Sequence, residues 1–489
     1  MTMENPPLLT LSDVPAWTHD ADVVVVGFGI AGACAAIEAR AAGAEVLVLE
    51  RGSGVSGTTT NAAGHFYLGG GTPVQVACGF EDTPQDMFDY LTAVTPDPMP
   101  DKIRLYCDQS VDHFHWLEAH GVPFDRSYYP FKSVVQPTRE CLIWTGNEKV
   151  WPYRDLAKPA PRGHKVAFDG EEGGGALAVQ TLAAKARELG ARAEFDMRVR
   201  ALVADNEGRV VGVRATRFDE ELFVRARKAV VLAAGGFGMN LDMVNHYVPD
   251  LAPPTYVQGG PNDDGTSILL GMSAGGAVRN MEKPFITCPF YPPEQLLKGI
   301  LVNKEGVRFV AEDSYHSRTA VISREQPDGA AYLILDSATF AYPRFAEMMN
   351  QQLVDGWETV AEMETGLGLP AGSLQATVTE YNAHAVAGAD PLFHKHPDWI
   401  APLVNGPFAA FDLSVGKAVF TGFTLGGLCV SVDAEVLNAA GHPVPGLYAA
   451  GACASNIAQD SRGYASGTCI GEASFFGRRG GRHAARNVA

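Results

Sequence analysis

The stretch SRGYASGTCIGEASFFGRRGG, residues 461–481, sets a tyrosine, Tyr464, and a serine two positions on, Ser466, between glycine-rich turns. Both hydroxyls are neutral at pH 7, since a tyrosine titrates at about 10, so the pair suits hydrogen-bond donation and proton relay rather than neutralisation of charge. A tyrosine that donates to a carbonyl oxygen stabilises the negative charge developing there, at a scale of roughly 3 kcal/mol per donor. Near the start of the chain, Gly27, Gly29 and Gly32 satisfy the pattern G-x-G-x-x-G. The first two shape a turn that lets backbone approach a pyrophosphate, and the third lets a helix pack closely on a strand.

Definite elements must position these residues. ADVVVVGFGIAGACAAIEARAAGAEVLVLERG reads as a buried strand, a glycine turn, a helix opening at Ile30 and Ala31, and a second buried strand ending in Glu50 and Arg51. That is a complete βαβ unit. Glu50 falls where a carboxylate accepts hydrogen bonds from an adenosine ribose, so the unit predicts dinucleotide binding. ARKAVVLAAGGFGMN (226–240) is another strand running into glycines, at Ala234 and Gly235. GHPVPGLYAAGACAS (441–455) is a strand followed by a turn at Gly451 that can open a helix.

The whole chain narrows the classes of partner. At 489 residues it is too long for one ordinary core, and 46% hydrophobic with 19% charged residues describes a folded globular protein. A formal net charge of −18 repels phosphates, which argues against nucleic acid or an anionic membrane and for a small molecule. The longest apolar run, residues 23–37, is short and broken by glycine, and the N-terminus lacks a basic segment ahead of an apolar one. No membrane span and a cytoplasmic location are therefore expected. Eight cysteines occur without a Cys-x-x-Cys pair or a Cys/His cluster, so no metal site is expected, and the oligomeric state is not legible.

Taken together, the early fingerprint and the two later strand–glycine segments resemble the FAD-binding proteins of the fumarate reductase and succinate dehydrogenase flavoprotein superfamily. SGTTTNAAGHFYLGGGT (56–72) resembles the loop that runs along the FAD in that family, with Thr58, Thr59, Asn61, Ala62 and Gly64. With Gly467 of the late turn, these residues complete the cofactor-binding set that the resemblance implies. Members with covalent flavin carry a histidine just ahead of the Ala-Ala pair; here Thr59, Thr60 and Asn61 stand there, which implies non-covalent FAD. PNDDGTSILLGMSAGGAV (261–278) and TGFTLGGLCV (421–430) resemble the segments that leave and re-enter the FAD domain. The fold expected is α/β: a Rossmann-like (GR2-type) FAD-binding domain in two parts, 1–279 and 416–489, with an inserted α+β catalytic cap over 280–415. In PRGHK (161–165), Arg162 and His164 are expected to shape the structure or the FAD rather than to react.

Fumarate reductases of this superfamily bind two carboxylates with arginines and histidines. In GVRFVAEDSYHSRTA (306–320) the position of their proton-donating arginine, counted from Glu312, holds His316. Their paired histidines are replaced by Gly422 and Phe423, and Tyr464 stands where the substrate-clamping arginine would be. Each replacement removes charge-assisted contacts that a neutral group cannot restore. Arg318 remains near enough that a two-residue shift in alignment would return an arginine.

A cap tyrosine, Tyr315, with the late GYASG carrying Tyr464 and Ser466, resembles the FAD-dependent 3-ketosteroid dehydrogenases, most closely the Δ4-(5α) branch. The resemblance implies a small apolar ketone, a steroid, as substrate, with Tyr464 polarising the ketone and Ser466 with Tyr315 removing the proton from C4. His316, on a strand, is expected to point away from Tyr315. Δ1-dehydrogenases remain an alternative, since Tyr128 or Tyr129 could supply their additional tyrosine, as does a soluble fumarate-reductase-like or enoate reductase. The electron acceptor is unidentified; no haem or iron–sulfur motif is present to carry electrons onward.

Overall fold

The computed structural model describes residues 5–253 and 255–487. Its framework grows from a run of β-branched residues. Val23, Val24, Val25 and Val26, in the strand His19–Val26, point alternately to opposite faces and are all buried, as in a sheet covered on both sides. Val23 and Val25 join the core shared with the helix Ile30–Ala41, and Val24 and Val26 join the one containing Phe237, Met243 and Leu428. Within a nine-stranded sheet, this strand pairs in parallel with Val46–Leu49, Val24 opposite Leu47, and with Glu220–Leu232, Val24 opposite Val230. The late strand Pro443–Ala449 lies parallel to the end of Glu220–Leu232, with Tyr448 opposite Val231. Segments from both ends of the chain therefore share one sheet.

The final helix, Thr468–Arg486, packs along Ile30–Ala41. A Cβ at Gly477 would lie 2.5 Å from the carbonyl oxygen of Ala31, and one at Gly481 would lie 2.1 Å from that of Ala35, so the crossing depends on bare backbone. This helix does not open directly after the Gly451 turn, as the sequence pattern predicts. The chain instead enters a short strand, Ala454–Ser455, which pairs in parallel with Gly427–Cys429, and the helix begins only after Gly467. Sheet pairing claims the residues that the local pattern assigns to the helix start.

Residues 300–412 build a separate four-stranded sheet in the order Ile300–Val302, Tyr332–Asp336, Phe408–Asp412, Gln352–Trp357. Ile334 faces a core with Met363, Leu374 and Val378 from two helices, while Leu333 and Leu335 face Phe290, Tyr291 and Leu297. Ahead of Tyr315 the chain is pinned by a buried charge network. Arg308 bonds Glu312 at 2.9 Å and Asp390 at 3.0 Å, and Lys395 bonds Glu312 at 3.1 Å. Among the described residues no helix is long and apolar enough to cross a membrane.

Candidate active site

The glycine fingerprint folds into an open cradle. Gly27 takes φ 101°, a backbone region that disfavours side chains, and a Cβ on Gly32 would lie 2.1 Å from the Gly27 carbonyl oxygen. Gly29 is the N-cap of Ile30–Ala41; no side chain caps this helix, and apart from its own stretch of chain nothing lies within 4 Å of where a Cβ on Gly29 would sit. Free N–H groups in front of open space are what a pyrophosphate needs. Gly451 lies beside Ala31, and Gly27 lies beside Ala233 and Ala234, so the three strand–glycine segments line one groove.

Glu50 is buried and accepts the N–H groups of Phe28 and Gly52, each at 2.7 Å, which leaves lone pairs for a ribose. Thr58 hydrogen-bonds the Asp263 carboxylate and receives the Gly260 N–H at 2.8 Å. Thr59 and Ala62 are partly buried, and Asn61 is exposed. Gly235, at φ 85°, has no room for a Cβ because Asp263 lies against it. Other members of the predicted set also make contacts within the chain. Gly64 abuts the backbone of Gly174, and Arg51 pairs with Asp264 at 2.6 Å. Gly467, at φ 98°, is the N-cap of the last helix and accepts the Tyr67 N–H at 3.0 Å. The donor set and the open cradle fit FAD.

The rings of the two predicted reacting tyrosines, Tyr315 and Tyr464, come together from distant parts of the chain. Tyr464 is 7% exposed and Tyr315 4%, with ring centroids 6.4 Å apart. Phe285 and Phe423 lie directly opposite each other on antiparallel strands and stack at 4.5 Å, and Phe285 continues onto Tyr464 at 4.6 Å. Ser466 is partly exposed, and its N–H donates to the Thr145 carbonyl at 2.8 Å. The Tyr315 hydroxyl is buried without a hydrogen-bond partner. Burial pushes it well above the usual tyrosine range, and the Ser466 hydroxyl, nearby but short of a regular hydrogen bond, pulls it part of the way back. Burial also raises Tyr464, while the Cys469 N–H, in the first turn of the last helix, opposes the shift. Both phenols are therefore protonated donors at neutral pH.

His316 departs from its expected place. It is the first residue of the helix His316–Arg324, with Tyr315 as N-cap, and its ring lies 3.9 Å from that of Tyr315 rather than on an opposite strand face. Burial, aided by the charge of Lys132, lowers its pKa to about 3, so it is neutral. Arg318 gives its guanidinium to the Tyr153 hydroxyl at 2.6 Å. Tyr128 accepts from the Trp144 indole at 2.9 Å and packs on Phe80, and Tyr129 packs on Phe131. Arg162 forms a buried pair with Asp82 at 2.7 Å, and His164 bonds Thr72 at 2.7 Å. Among the described residues no cluster of His, Cys, Asp or Glu could hold a metal ion.

Sequence reasoning passed over Asn147 and Phe285. Asn147 sits in WTGNEKVWPY, where the aromatic residues draw attention and no periodicity marks the amide. Phe285 is identifiable only through its partner across the strand pair.

Residues 22–467 match the FAD binding domain family. The chain is 31% identical to the 3-oxo-5-alpha-steroid 4-dehydrogenase of Comamonas testosteroni, over 90% of this chain and 94% of that one. It is also 31% identical to the urocanate reductase of Eggerthella lenta, over 96% of this chain and 75% of that one. The crystal structure of 3-ketosteroid-Δ4-(5α)-dehydrogenase from Rhodococcus jostii RHA1, in complex with 4-androstene-3,17-dione, superposes with a TM-score of 0.93 at 43% identity, covering 98% of this chain and all of that one.

Proposed function

This chain belongs to the FAD binding domain family, and on that premise we propose that it is an FAD-dependent oxidoreductase that desaturates a 3-ketosteroid between C4 and C5, a Δ4-(5α)-dehydrogenation. The observation that carries this reading is the approach of two buried, protonated tyrosines, Tyr315 and Tyr464, inside an aromatic wall whose one imidazole is neutral. Such a site suits a neutral, flat ketone, and the nearby Arg318 guanidinium is taken up by the Tyr153 hydroxyl rather than held out for a dicarboxylate. The similar steroid dehydrogenases named above act on that class, and the steroid in the Rhodococcus complex carries the 4-ene this reaction forms.

When bound, FAD supplies the acceptor for the hydride that leaves C5. The protein's residues make the C4 proton removable. Tyr464 donates to the C3 ketone oxygen and stabilises the enolate that forms as the C4–H bond breaks. Ser466, which is partly exposed, and Tyr315 take up the C4 proton as one of their own hydroxyl protons is relayed to solvent. Because burial makes Tyr315 a weaker acid than a free tyrosine, its hydroxyl does not supply a resident anion at neutral pH, and the step depends on ketone polarisation by Tyr464. Phe285 and Phe423 offer a flat apolar face to the steroid rings. Residues 280–415 act as the cap over the FAD-binding parts 1–279 and 416–489. With Thr59, Thr60 and Asn61 at the family's attachment position, the flavin is held non-covalently.

The test is anaerobic mixing of the purified holoprotein with a saturated 5α-3-ketosteroid, following the visible flavin absorbance and identifying the product. Bleaching with a 4-ene product is expected. A 1-ene would move the reaction to the other side of the ketone. No bleaching with any ketosteroid, together with reoxidation of chemically reduced flavin by a small unsaturated acid, would replace the dehydrogenase reading with a reductase.

A further inference from the structure

Tyr315 and the Tyr464–Ser466 pair belong to different segments, and a third segment ties them together. Asn147 is fully buried, and its side-chain amide bonds both sides of the cluster. Its Oδ1 accepts the backbone N–H of Tyr315 at 2.8 Å, and its Nδ2 donates to the carbonyl of Arg462, two residues before Tyr464, at 3.3 Å. The same turn reaches Ser466 directly, because the Thr145 carbonyl accepts the Ser466 N–H at 2.8 Å.

The turn is itself held from behind. The Asn147 N–H donates to the Tyr90 hydroxyl at 2.8 Å. The Glu148 carboxylate accepts the Gly146 N–H and the Tyr67 hydroxyl, each at 3.0 Å. Gly146 packs so tightly that a Cβ there would lie 2.6 Å from the Tyr90 hydroxyl and 2.8 Å from the Ala465 side chain. An amide whose acceptor and donor are both used, buried on a rigid turn, transmits the position of one segment to the other.

We propose that Asn147 is a positioning residue for the reaction: its carboxamide sets the separation between the Tyr315 hydroxyl and the Tyr464–Ser466 pair, and thereby the rate of proton removal. This rests on the reading of those three hydroxyls as the reacting set. Asn147 touches neither ketone nor cofactor in this role. Its effect falls on the rate of the chemical step rather than on steroid affinity, because Phe285, Phe423 and the Tyr464 ring form the binding face without it.

The experiment is a double-mutant cycle on the holoprotein, reading the rate of anaerobic flavin reduction at saturating 5α-androstane-3,17-dione, the steroid Kd from the flavin spectrum, and FAD content. Asn147→Ala is expected to slow reduction about 10- to 100-fold, with Kd and FAD content within about twofold of wild type. In a Tyr315→Phe background the same substitution is expected to cost less than about threefold, because its target hydroxyl is gone. Equal losses in both backgrounds, or a wild-type rate for Asn147→Ala while Tyr315→Phe is slow, would overturn the proposal and leave the reading of Tyr315 standing. A wild-type rate for Tyr315→Phe instead removes Tyr315 from the reacting set, and the proposal with it. If Asn147→Ala does not hold FAD, Asn147→Asp takes its place, because it keeps the oxygen that receives the Tyr315 N–H. A rate within about tenfold of wild type then supports the proposal, and one below about a hundredth overturns it.

Discussion

The rings of Tyr315 and Tyr464 face each other with centroids 6.4 Å apart and planes 36° from parallel, and Phe285 touches the second of them at 4.6 Å. The two phenols differ in what surrounds their hydroxyls. Tyr315 has no hydrogen-bond partner, whereas Tyr464 lies against the first turn of the last helix at Cys469. A hydroxyl at a helix N-terminus is well placed to act beside a developing negative charge, since the N–H groups there favour anions.

Tyr464→Phe tests the donor. Removing one hydroxyl that stabilises an enolate costs roughly 3 kcal/mol, or about two orders of magnitude in rate. Anaerobic stopped-flow reduction of the flavin by a saturated ketosteroid should slow by about that factor, while the variant retains FAD and its thermal stability. A loss below about threefold would remove Tyr464 from the role of ketone donor.

The engagement of the nearby cation gives a second expectation. Arg318 is engaged by Tyr153 at 2.6 Å, and burial keeps His316 neutral, with its pKa lowered to about 3. Fumarate and succinate should therefore neither perturb the flavin spectrum nor compete with a ketosteroid at millimolar concentration. Competitive inhibition by either acid, lost in Arg318→Leu, would show that this guanidinium is available to substrate after all.

The frame was readable wherever a local pattern determines it. The valine run predicts a doubly covered strand, and the glycines predict the turn and the close helix, because each signal lies within a few residues of its consequence. His316 was misread as a strand residue. The chain just ahead of that helix is held by the buried network of Arg308, Glu312, Asp390 and Lys395, two of whose members lie far away in the chain and leave no local sign at His316. Asn147 and the Phe285–Phe423 pair were invisible for the same reason. Their partners lie in other segments, and a single amide or phenylalanine carries no period. Tyr464 and Ser466 stand out as a candidate pair in the sequence because they lie two residues apart between two glycine turns.

Acid should destabilise the fold through its buried histidines. Burial lowers His65 and His164 to about 4 and His316 to about 3, whereas an unfolded histidine titrates at about 6.5. Between those values the unfolded chain binds more protons than the folded one, so stability is intact above about pH 6.5 and is lost as pH falls through the window. Each histidine contributes up to about 1.4 kcal/mol per pH unit there. His113, also lowered by burial, acts with these three, while Glu472, raised to about 7 by burial, acts in the opposite direction, as do the buried Glu148, Asp263 and Asp313. Thermal melts followed by flavin release should show Tm falling from pH 6.5 to pH 5, with a shallower slope in His164→Asn. An unchanged slope in that variant would mean that His164 does not titrate on unfolding in this range.

Two glycines on facing helices should respond differently to the same added methyl group. At Gly481 a Cβ would lie 2.1 Å from the Ala35 carbonyl oxygen and 2.6 Å from its Cα, and backbone of a buried helix cannot swing aside as a side chain can. Gly481→Ala should therefore push the helices apart and cost about 1–3 kcal/mol of stability, lowering the Tm of the apoprotein. Gly29 has ordinary φ, −76°, and apart from its own stretch of chain nothing lies within 4 Å of the new atom, so Gly29→Ala should leave the Tm of the apoprotein unchanged. The open space in front of Gly29 is where the helix N–H groups would meet a pyrophosphate, so this variant should instead weaken FAD binding, measured as the Kd for reconstitution of the apoprotein. If Gly29→Ala bound FAD as wild type does, the cradle would lie elsewhere in the groove. If Gly481→Ala melted as wild type does, the helix contact would be looser than 2.1 Å requires. The contrast separates a glycine kept for its ligand from one kept for its neighbour, although both sit on helices that cross in the same core.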